Sequence, residues 1–513
     1  MKKYIVLFST LLFSQLLFSQ SEIVPERRTQ KTFAKIDYLS IDLPLNPLGL
    51  DDPNMGLTGI HYNLYINEWA YTGLGIYGAV SGNKGGFFTL GINAGIKKYL
   101  NKQFYIDTGF HFGGGGGASA PDGGGAFILP HVNLGYQFEN FSINSGWSYV
   151  NFFDKGNIKG HQLNVGLEIP LDFNYADYSS SETELDINSL KKTNWNVNSK
   201  RTSLMLHVNN LKIKGKSKDT NGKKYNGETI RLAGFELANY INKNWFAFLK
   251  LDGAFSGIDA GYMDVFLGGG YHLSMNKNRT NLLAKFGIGA GGGGGVDTKG
   301  GFLIYPDISI EQKLFNNIYL SINKGFVMSP DSYFYTSSLG AGIKYYIDRN
   351  GTISEYENHT KGKIKGFEFI VKQDLYFNAK RDLNPTENLH QISLQINVDL
   401  NKNIFAVGQT SFANFGNAGA YAEGLVGLGV KTKYYFNTST RFFAQIIGGA
   451  AGGGNISTGQ GLIFKPSLGF NYKLNKQLSI RTAGGYVKAK GENLNSAFIN
   501  FGINYSLSFL NLK

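Results

Sequence analysis

The 513-residue chain has no cysteine. That excludes a disulfide framework, a thiolate metal site, an iron–sulfur cluster and a thiol nucleophile, and it removes the acylated cysteine of a lipoprotein. Proline is scarce, with 11 residues. Acidic residues are outnumbered, 37 Asp and Glu against 50 Lys and Arg, for a net charge of +13. A basic balance suits anionic lipid or anionic solutes. Nucleic acid is not an expected partner, because the chain begins with an export signal. In "MKKYIVLFSTLLFSQLLFSQ", Lys2 and Lys3 precede an apolar run from Tyr4 to about Phe18. This is the pattern of a secretory signal peptide over residues 1–20, with cleavage near Ser19 or Gln20. Beyond it no segment reaches the roughly 18 uninterrupted apolar residues of a membrane helix. An exported chain without such a helix is either soluble or a β-barrel.

Glycine is plentiful, at 68 residues. It concentrates in three runs: "HFGGGGGASAPDGGGAFILPH" (111–131), "GIGAGGGGGVDTKGGFLIYPDISI" (287–310) and "IGGAAGGGNISTGQGLIFKPSLGF" (447–470). A proline follows each at a similar offset: Pro130, Pro306 and Pro466. Flanking segments also match, as in "YINEWAYTGLGIYGAV" and "YINKNWFAFLKLDGAF". The chain reads as three domain-sized repeats, 33–173, 202–348 and 365–511, joined by polar periplasmic linkers over 174–201 and 349–364. This is far longer than a solenoid period.

Within each repeat the hydrophobic period is two. Ile128, Pro130, Val132, Leu134, Tyr136 and Phe138 share one face, against Leu129, His131, Asn133, Gly135 and Gln137. Leu163, Val165, Leu167 and Ile169 oppose Gln162, Asn164, Gly166 and Glu168, and Ile499, Phe501 and Ile503 oppose Asn500, Gly502 and Asn504. Strict alternation over ten or more residues predicts strands. They are longer than those of soluble sheets and match the nine to eleven residues that cross a bilayer at a tilt. About eight strands fall in each repeat, about 24 in all. Short turns such as "NEW" (67–69) and "LNKQ" (100–103) alternate with longer ones such as "FDKGNIKG". That asymmetry, with Trp69, Tyr71, Tyr99, Tyr105, Trp147 and Tyr149 near strand ends, predicts a transmembrane antiparallel up-and-down β-barrel with both termini periplasmic.

The signal ending "FSQ" and the aromatic-rich last strand "FINFGINYSLSF" carry a resemblance. The chain resembles the integral outer-membrane β-barrel proteins of Bacteroidota-type bacteria. The resemblance is to a class and covers most of the mature chain. It implies localisation in the outer membrane of a Gram-negative bacterium, in contact with outer-membrane lipid and lipopolysaccharide.

The preferred architecture is one barrel of about 24 strands, a size within the known range. The alternative is three separate eight-strand barrels, eight being a complete small barrel. The long linkers favour the alternative, since neighbouring strands of one sheet need only two to five residues between them. So do the inward glycines Gly73, Gly75, Gly91, Gly95, Gly109 and Gly135, which make room in a barrel filled by side chains.

Few residues suggest chemistry. A phosphate-cradling loop needs G-x-x-x-x-G-K-[ST] between strand and helix. No glycine run meets this, and "GKS" (215–217) has Asn210 where the first glycine belongs. The runs are instead expected as strand-to-strand turns at the outer rim, with Gly113, Gly115, Gly117, Gly291, Gly293, Gly295, Gly452 and Gly454 shaping a mouth or a contact surface for a partner barrel or lipid chain. The following prolines mark a rim or bulge position on the outward face. Eight histidines lack metal spacing, and "DTNGKKYNGE" (219–228) lacks the spacing of a calcium loop. His131 with Asp107 or Asp122 imitates an acid–base pair, but a hydrogen-bonded lumenal histidine accounts for it. No catalytic residue, metal site or cofactor is expected, and the chain is read as no enzyme. Lysines of "KIKGKSK" (212–218), with Lys223 and Lys224, are either solvated or paired with lipopolysaccharide phosphates.

Charges on the inward parity include Lys97, Asp107, Lys250, Asp252, Lys285, Asp307, Glu311, Lys431, Lys433, Lys465 and Arg481, with His131 among them. With lysine in excess, a wet lumen lined by them favours small anionic solutes. The expected function is therefore a porin-like channel for hydrophilic solutes. The alternative is a non-conducting structural or assembly barrel that docks a secretion, motility or surface-polymer partner, a partner barrel or a periplasmic protein. A barrel-embedded lipid hydrolase comes third.

Overall fold

Side chains that alternate in polarity commit each segment to a strand with two unlike faces, and short turns pair consecutive strands antiparallel. The computed structural model describes residues 24–45, 49, 51–225, 227–356, 359–383, 385–491 and 493–513. The expected signal peptide lies outside the described residues.

A short strand, β1 (Arg28–Gln30), comes first. Barrel 1 follows as β2 (Thr32–Ile41), β3 (Met55–Tyr65), β4 (Ala70–Ser81), β5 (Phe88–Tyr99), β6 (Phe104–Gly116), β7 (Phe127–Gln137), β8 (Ser142–Phe152) and β9 (Lys159–Pro170). A connection carries β10 (Phe173–Tyr175), a 3₁₀ turn (Tyr178–Ser180), β11 (Glu184–Asp186) and helix α1 (Ile187–Lys191). Barrel 2 is β12 (Lys200–Ile213), β13 (Thr229–Tyr240), β14 (Trp245–Ser256), β15 (Met263–Met275), β16 (Thr280–Gly292), β17 (Phe302–Phe315), β18 (Ile318–Met328) and β19 (Tyr335–Arg349). Barrel 3 is β20 (Lys361–Ala379), β21 (Glu387–Asp399), β22 (Ile404–Phe415), β23 (Ala422–Lys431), β24 (Thr440–Gly452), β25 (Leu462–Lys473), β26 (Leu478–Ala489) and β27 (Asn495–Leu512).

The last strand of each set pairs back to its first. Val165 on β9 lies opposite Tyr38 on β2, Gly340 on β19 opposite Asn209 on β12, and Tyr505 on β27 opposite Phe369 on β20. The preferred single ring of about 24 strands is therefore corrected, and the chain closes into three eight-stranded rings. The reason is that the edge of β9 is already taken by β2 before the chain moves on. Barrels 2 and 3 share one opposed pair, Arg349 with Asn511, and β11 adds to the start of β20.

All linkers and both ends of each eight-strand set lie at one end, the linker end. The glycine-rich turns lie at the other, the hairpin end. The first connection is more than a polar spacer. Leu185, Ile187, Leu190 and Trp195 bury against Ile364, Leu510 and Leu512, and the Trp195 indole N–H donates to the Pro25 carbonyl at 2.7 Å. Helix α1 starts there because the Asp186 carboxylate accepts the N–H groups of Asn188 and Ser189.

Two irregularities recur in the three barrels. The ladder between second and third strands shifts register near the hairpin end, at Gly56/Leu57, Arg231/Leu232 and His390/Gln391. The ladder beside Pro130, Pro306 and Pro466 loses its pairs around the proline and resumes in the same register. The expected bulge at these prolines is absent. A missing N–H breaks the ladder locally without an extra residue.

The inward glycines sit under neighbouring side chains. A Cβ at Gly75 would strike His61, at Gly95 Tyr71 and at Gly135 Tyr105, while at Gly91 it would strike the Phe112 carbonyl and His111, and at Gly109 the backbone of Ala94 and Gly95. Eight strands leave an interior just wide enough for side chains, so a large residue on one strand needs none on the next. Gly135→Leu is accordingly expected to cost about 1–3 kcal/mol through overpacking against Tyr105. Urea titration of the refolded protein would read this as a lower unfolding midpoint.

Candidate functional site, the filled lumens and the ring of glycine turns

Each lumen is built from the inward parity of its own strands, and its ionisable groups are spent on one another. In barrel 1 the Lys97 ammonium is paired with Glu168. Glu168 also accepts from Ser142 at 3.1 Å, Tyr105 at 3.2 Å and Asn144 at 2.9 Å. Asp107 accepts from the Tyr71 hydroxyl at 2.8 Å, and His131 Nε2 lies 3.4 Å from its other oxygen. His131 thus approaches Asp107 and not Asp122.

In barrel 2, Lys285 lies 2.7 Å from Glu236 and 3.1 Å from Asp307, while Lys344 lies 2.7 Å from Glu311. Lys250 pairs with Asp252. In barrel 3, Lys465 lies 3.1 Å from Asp374 and 3.0 Å from Glu423. Lys431 pairs with Asp399, and Arg441 with Glu368. The Arg481 guanidinium lies over the Phe443 ring and donates to Asn471 and Gln445. The residues expected to line a wet lumen, Lys97, Asp107, His131, Lys285, Asp307, Lys431, Lys465 and Arg481, are thus in contact with neutralising or hydrogen-bonding partners. Lys433 is the exception, exposed beyond the end of β23.

Lysine is not in general excess. In the barrel 1 lumen Lys35 and Lys97 face Asp37, Asp107 and Glu168. Of the partners overlooked in the sequence, Glu236, Lys344, Glu368, Asp374, Glu423 and Arg441, only Asp374 had a legible signal. In an alternating strand, Lys-x-Asp puts both charges on one face, as in Lys250/Asp252 and Lys372/Asp374.

Toward the hairpin end each lumen turns apolar. Leu39, Ile41, Met55, Phe87, Phe127 and Phe152 stop barrel 1. Leu211, Ile230, Leu232, Tyr262 and Phe334 stop barrel 2, and Tyr376, Leu389, Tyr421 and Leu494 stop barrel 3. The linker end is also covered. Tyr178, from the connection after barrel 1, donates to Asp399 of barrel 3 at 2.9 Å. His359 lies 2.9 Å from Asp348, and Tyr356 lies under Arg201, closing barrel 2. Barrel 1 holds a cavity of about 20 Å³ lined by Asp37, His61, Asn93, His111 and Asn164, room for one water. Among the described residues no three or more His, Asp or Glu side chains are placed to hold a metal ion.

The glycine turns do not stand free at a rim. Each lies on the next barrel, in a closed ring of three like contacts. The turn of barrel 2 rests on the β4–β5 turn of barrel 1, where Gly85 N–H donates to the Lys299 carbonyl at 2.5 Å. The turn of barrel 3 rests on the β14–β15 turn of barrel 2, where Ser256 donates to Gln460 at 2.8 Å. The turn of barrel 1 meets the β22–β23 turn of barrel 3, where Gly419 N–H donates to the Gly123 carbonyl at 3.3 Å, and the neighbouring β8–β9 turn adds the bonds from Gly416 N–H to Asp154 at 2.6 Å and from Lys155 to Asn417 at 3.0 Å. Head-to-tail contacts of this kind either close into a ring or run on without limit, and here they close.

Both faces of these strand ends are crowded, which explains runs of glycine in place of alternate glycines. A Cβ on Gly113 or Gly115 would strike the backbone of β5 in its own barrel, and one on Gly114 would strike Ala413 and Asn414 of barrel 3. Gly291 and Gly293 face their own barrel while Gly292 abuts Gly85 and Gly86 of barrel 1. Gly452 abuts Ala260 and Gly261 of barrel 2, while Gly454 faces Ala418 of its own barrel. Gly117 packs on Gly86 of barrel 1 itself, and nothing crowds Gly295. The inter-barrel positions Gly114 and Gly292 belong to the parity that the sequence reading passed over.

No family model matches the chain, and no curated protein matches it. Among solved structures it is similar to OpdQ of Pseudomonas aeruginosa (7% identity, 94% of this chain and 98% of that one, TM-score 0.22). It is also similar to the ferric enterobactin receptor PfeA of Pseudomonas aeruginosa (9% identity, 93% and 81%, TM-score 0.28). A third is the siderophore receptor PirA of Acinetobacter baumannii (8% identity, 93% and 80%, TM-score 0.27). At such TM-scores nothing about the role of this chain follows from the likeness.

The junction of barrels 1 and 3 contains a buried acid, Asp122, in the turn after β6. Its carboxylate accepts the Gly117 N–H at 2.7 Å, yet burial pushes its pKa up from 3.8 to about 7. An acid with a raised folded value holds its proton more tightly when folded. Its contribution is full below about pH 4, is lost progressively as pH rises to about 7, and is level above that. Asp122→Asn is expected to flatten this part of the pH profile, raising the melting temperature at pH 8 relative to wild type and leaving it unchanged near pH 4. A parallel shift at both pH values would contradict the assignment.

Proposed function

We propose that the chain is an integral outer-membrane protein whose triplicated barrels stand side by side as a closed platform, conducting no solute and docking a secretion, motility or surface-polymer partner. The observation that carries this is the filling of all three lumens by paired charges and apolar stoppers. An open channel needs a continuous water path, and the paired charges and apolar stoppers stand across each lumen.

The membrane setting is supported by surface chemistry. The barrels are polar inside and apolar outside, with Leu134, Leu163, Ile308, Ile310, Leu468 and Phe501 exposed. Barrel strands run ten residues or more and every ring is closed, so no ladder edge meets lipid. Exposed Trp69, Tyr99, Trp245 and Tyr271 mark the linker end, as interfacial aromatics do. In this reading the linker end is periplasmic and the glycine turns lie toward the cell exterior. The exposed Lys214, Lys216, Lys223 and Lys224 beside β12 then meet lipopolysaccharide phosphates.

The test is conductance. Mature protein is inserted in a planar bilayer, with folding verified by heat-modifiable gel mobility. The expected record shows no channel steps. Reproducible steps from verified, folded protein would overturn the closed platform in favour of the porin-like channel.

A further inference from the structure

Where the three barrels meet, outward-facing side chains are buried against one another. Phe88 and Leu90 of barrel 1, Val265 and Ala290 of barrel 2 and Phe412 of barrel 3 form one cluster, with Ile60, Ile76, Leu249 and Leu394 packed at its margin. From Ile60 the same face of β3 continues toward the linker end through Tyr62 and Leu64. From Ile76 the face of β4 continues through Leu74. All of these are half-buried. They form a half-buried apolar seam beside the neighbouring barrels.

Arg349, the last residue of β19, stands at the foot of this seam. It opposes Asn511 of β27 in barrel 3, its neighbour Asn350 accepts through its carbonyl from Asn174 in the connection after barrel 1 at 2.7 Å, and Tyr62 of β3 lies within electrostatic range of its charge. Its own barrel supplies neutral acceptors, Thr202 Oγ1 at 2.9 Å and Asn239 Oδ1 at 3.3 Å. Among the described residues no carboxylate pairs with it; Arg201, Arg381 and Arg441 each have one, and the buried Arg481, which has none, is instead covered by the Phe443 ring and bonded to Asn471 and Gln445. A partly buried guanidinium facing apolar surface without an anion is a costly arrangement. A phosphodiester fits the vacant side of the fork, since arginine binds phosphate with paired, charge-assisted hydrogen bonds.

We propose that the seam holds one phospholipid of the periplasmic leaflet, its phosphate on Arg349 and its acyl chains running toward the Phe88–Phe412 cluster. This rests on the membrane reading above. The bound lipid covers the half-buried apolar faces of β3 and β4 beside the junction of the barrels.

Native mass spectrometry of the full mature chain, extracted from membranes in mild detergent and delipidated by exchange, tests this. Wild type is expected to retain about one phospholipid per chain. Arg349→Gln is expected to lower that occupancy by about tenfold or more, the equivalent of one charge-assisted hydrogen bond. Arg349→Lys is expected to keep part of it, and Arg231→Gln, at an exposed site, all of it. Leu74→Trp, which fills the seam without touching the arginine, is expected to expel the lipid and covers the case in which Arg349→Gln does not fold. Wild type that is folded and membrane-extracted but free of lipid would overturn the inference, as would equal retention in Arg349→Gln or, should that variant not fold, in Leu74→Trp. Chain that fractionates with soluble protein would instead overturn the membrane reading itself.

Discussion

A strand end with backbone pressed against both of its faces has no place for a side chain. That constraint governs the glycine turns, and the arrangement of the molecule depends on it. Gly113 and Gly115 let β6 close on β5, and Gly114 lets the same strand lie on barrel 3. The same division recurs around Gly292 and Gly452. Three such contacts, each between the turn after a fifth strand and the turn after a third, hold the barrels together at one end. At the other end Trp195 and the paired pieces β10 and β11 tie the connections to barrel 3 and to the N-terminal segment. The barrels are thus fastened at both ends, and the middle is left to apolar surface.

Strand number does the rest. Eight strands enclose a space that side chains must fill, and an exterior that is apolar leaves the polar residues to fill it. Buried charges are stable only when paired and hydrogen-bonded. That requirement selects the networks of Lys97 with Glu168, Lys285 with Glu236 and Asp307, and Lys465 with Asp374 and Glu423. A lumen built this way is a core, with the polarity of a soluble protein turned inside out. The closed-platform reading follows from that inversion and from the apolar stoppers at the hairpin end.

Much of this was legible in the sequence. Alternation identified the long strands, and the inward glycines Gly75, Gly95 and Gly135 were read as room for neighbouring side chains, which His61, Tyr71 and Tyr105 indeed occupy. Ring closure was less legible. The pairing of β9 with β2 leaves no local mark, because the same alternating pattern serves one wide ring or three narrow ones. The linker lengths were the available clue, and they favoured the alternative that formed. The charge pairing inside the lumens was not legible, because parity reports which residues point inward and says nothing of whether opposite charges meet there. The seam at Arg349 was invisible for a related reason: its lining comes from strands hundreds of residues apart.

Closure of the individual rings is the claim on which the account turns, and the absence of native cysteine makes it directly testable. Tyr38→Cys combined with Val165→Cys places one thiol on β2 and one on β9, at positions opposed across the closing ladder of barrel 1, where Cα separations of cross-strand pairs suit a disulfide. Mass spectrometry of peptides from the oxidised, folded protein is expected to find residues 38 and 165 joined in nearly every chain. Two free thiols in folded protein would mean that β2 and β9 are not neighbours, and the separate, filled barrels would give way to a wider ring.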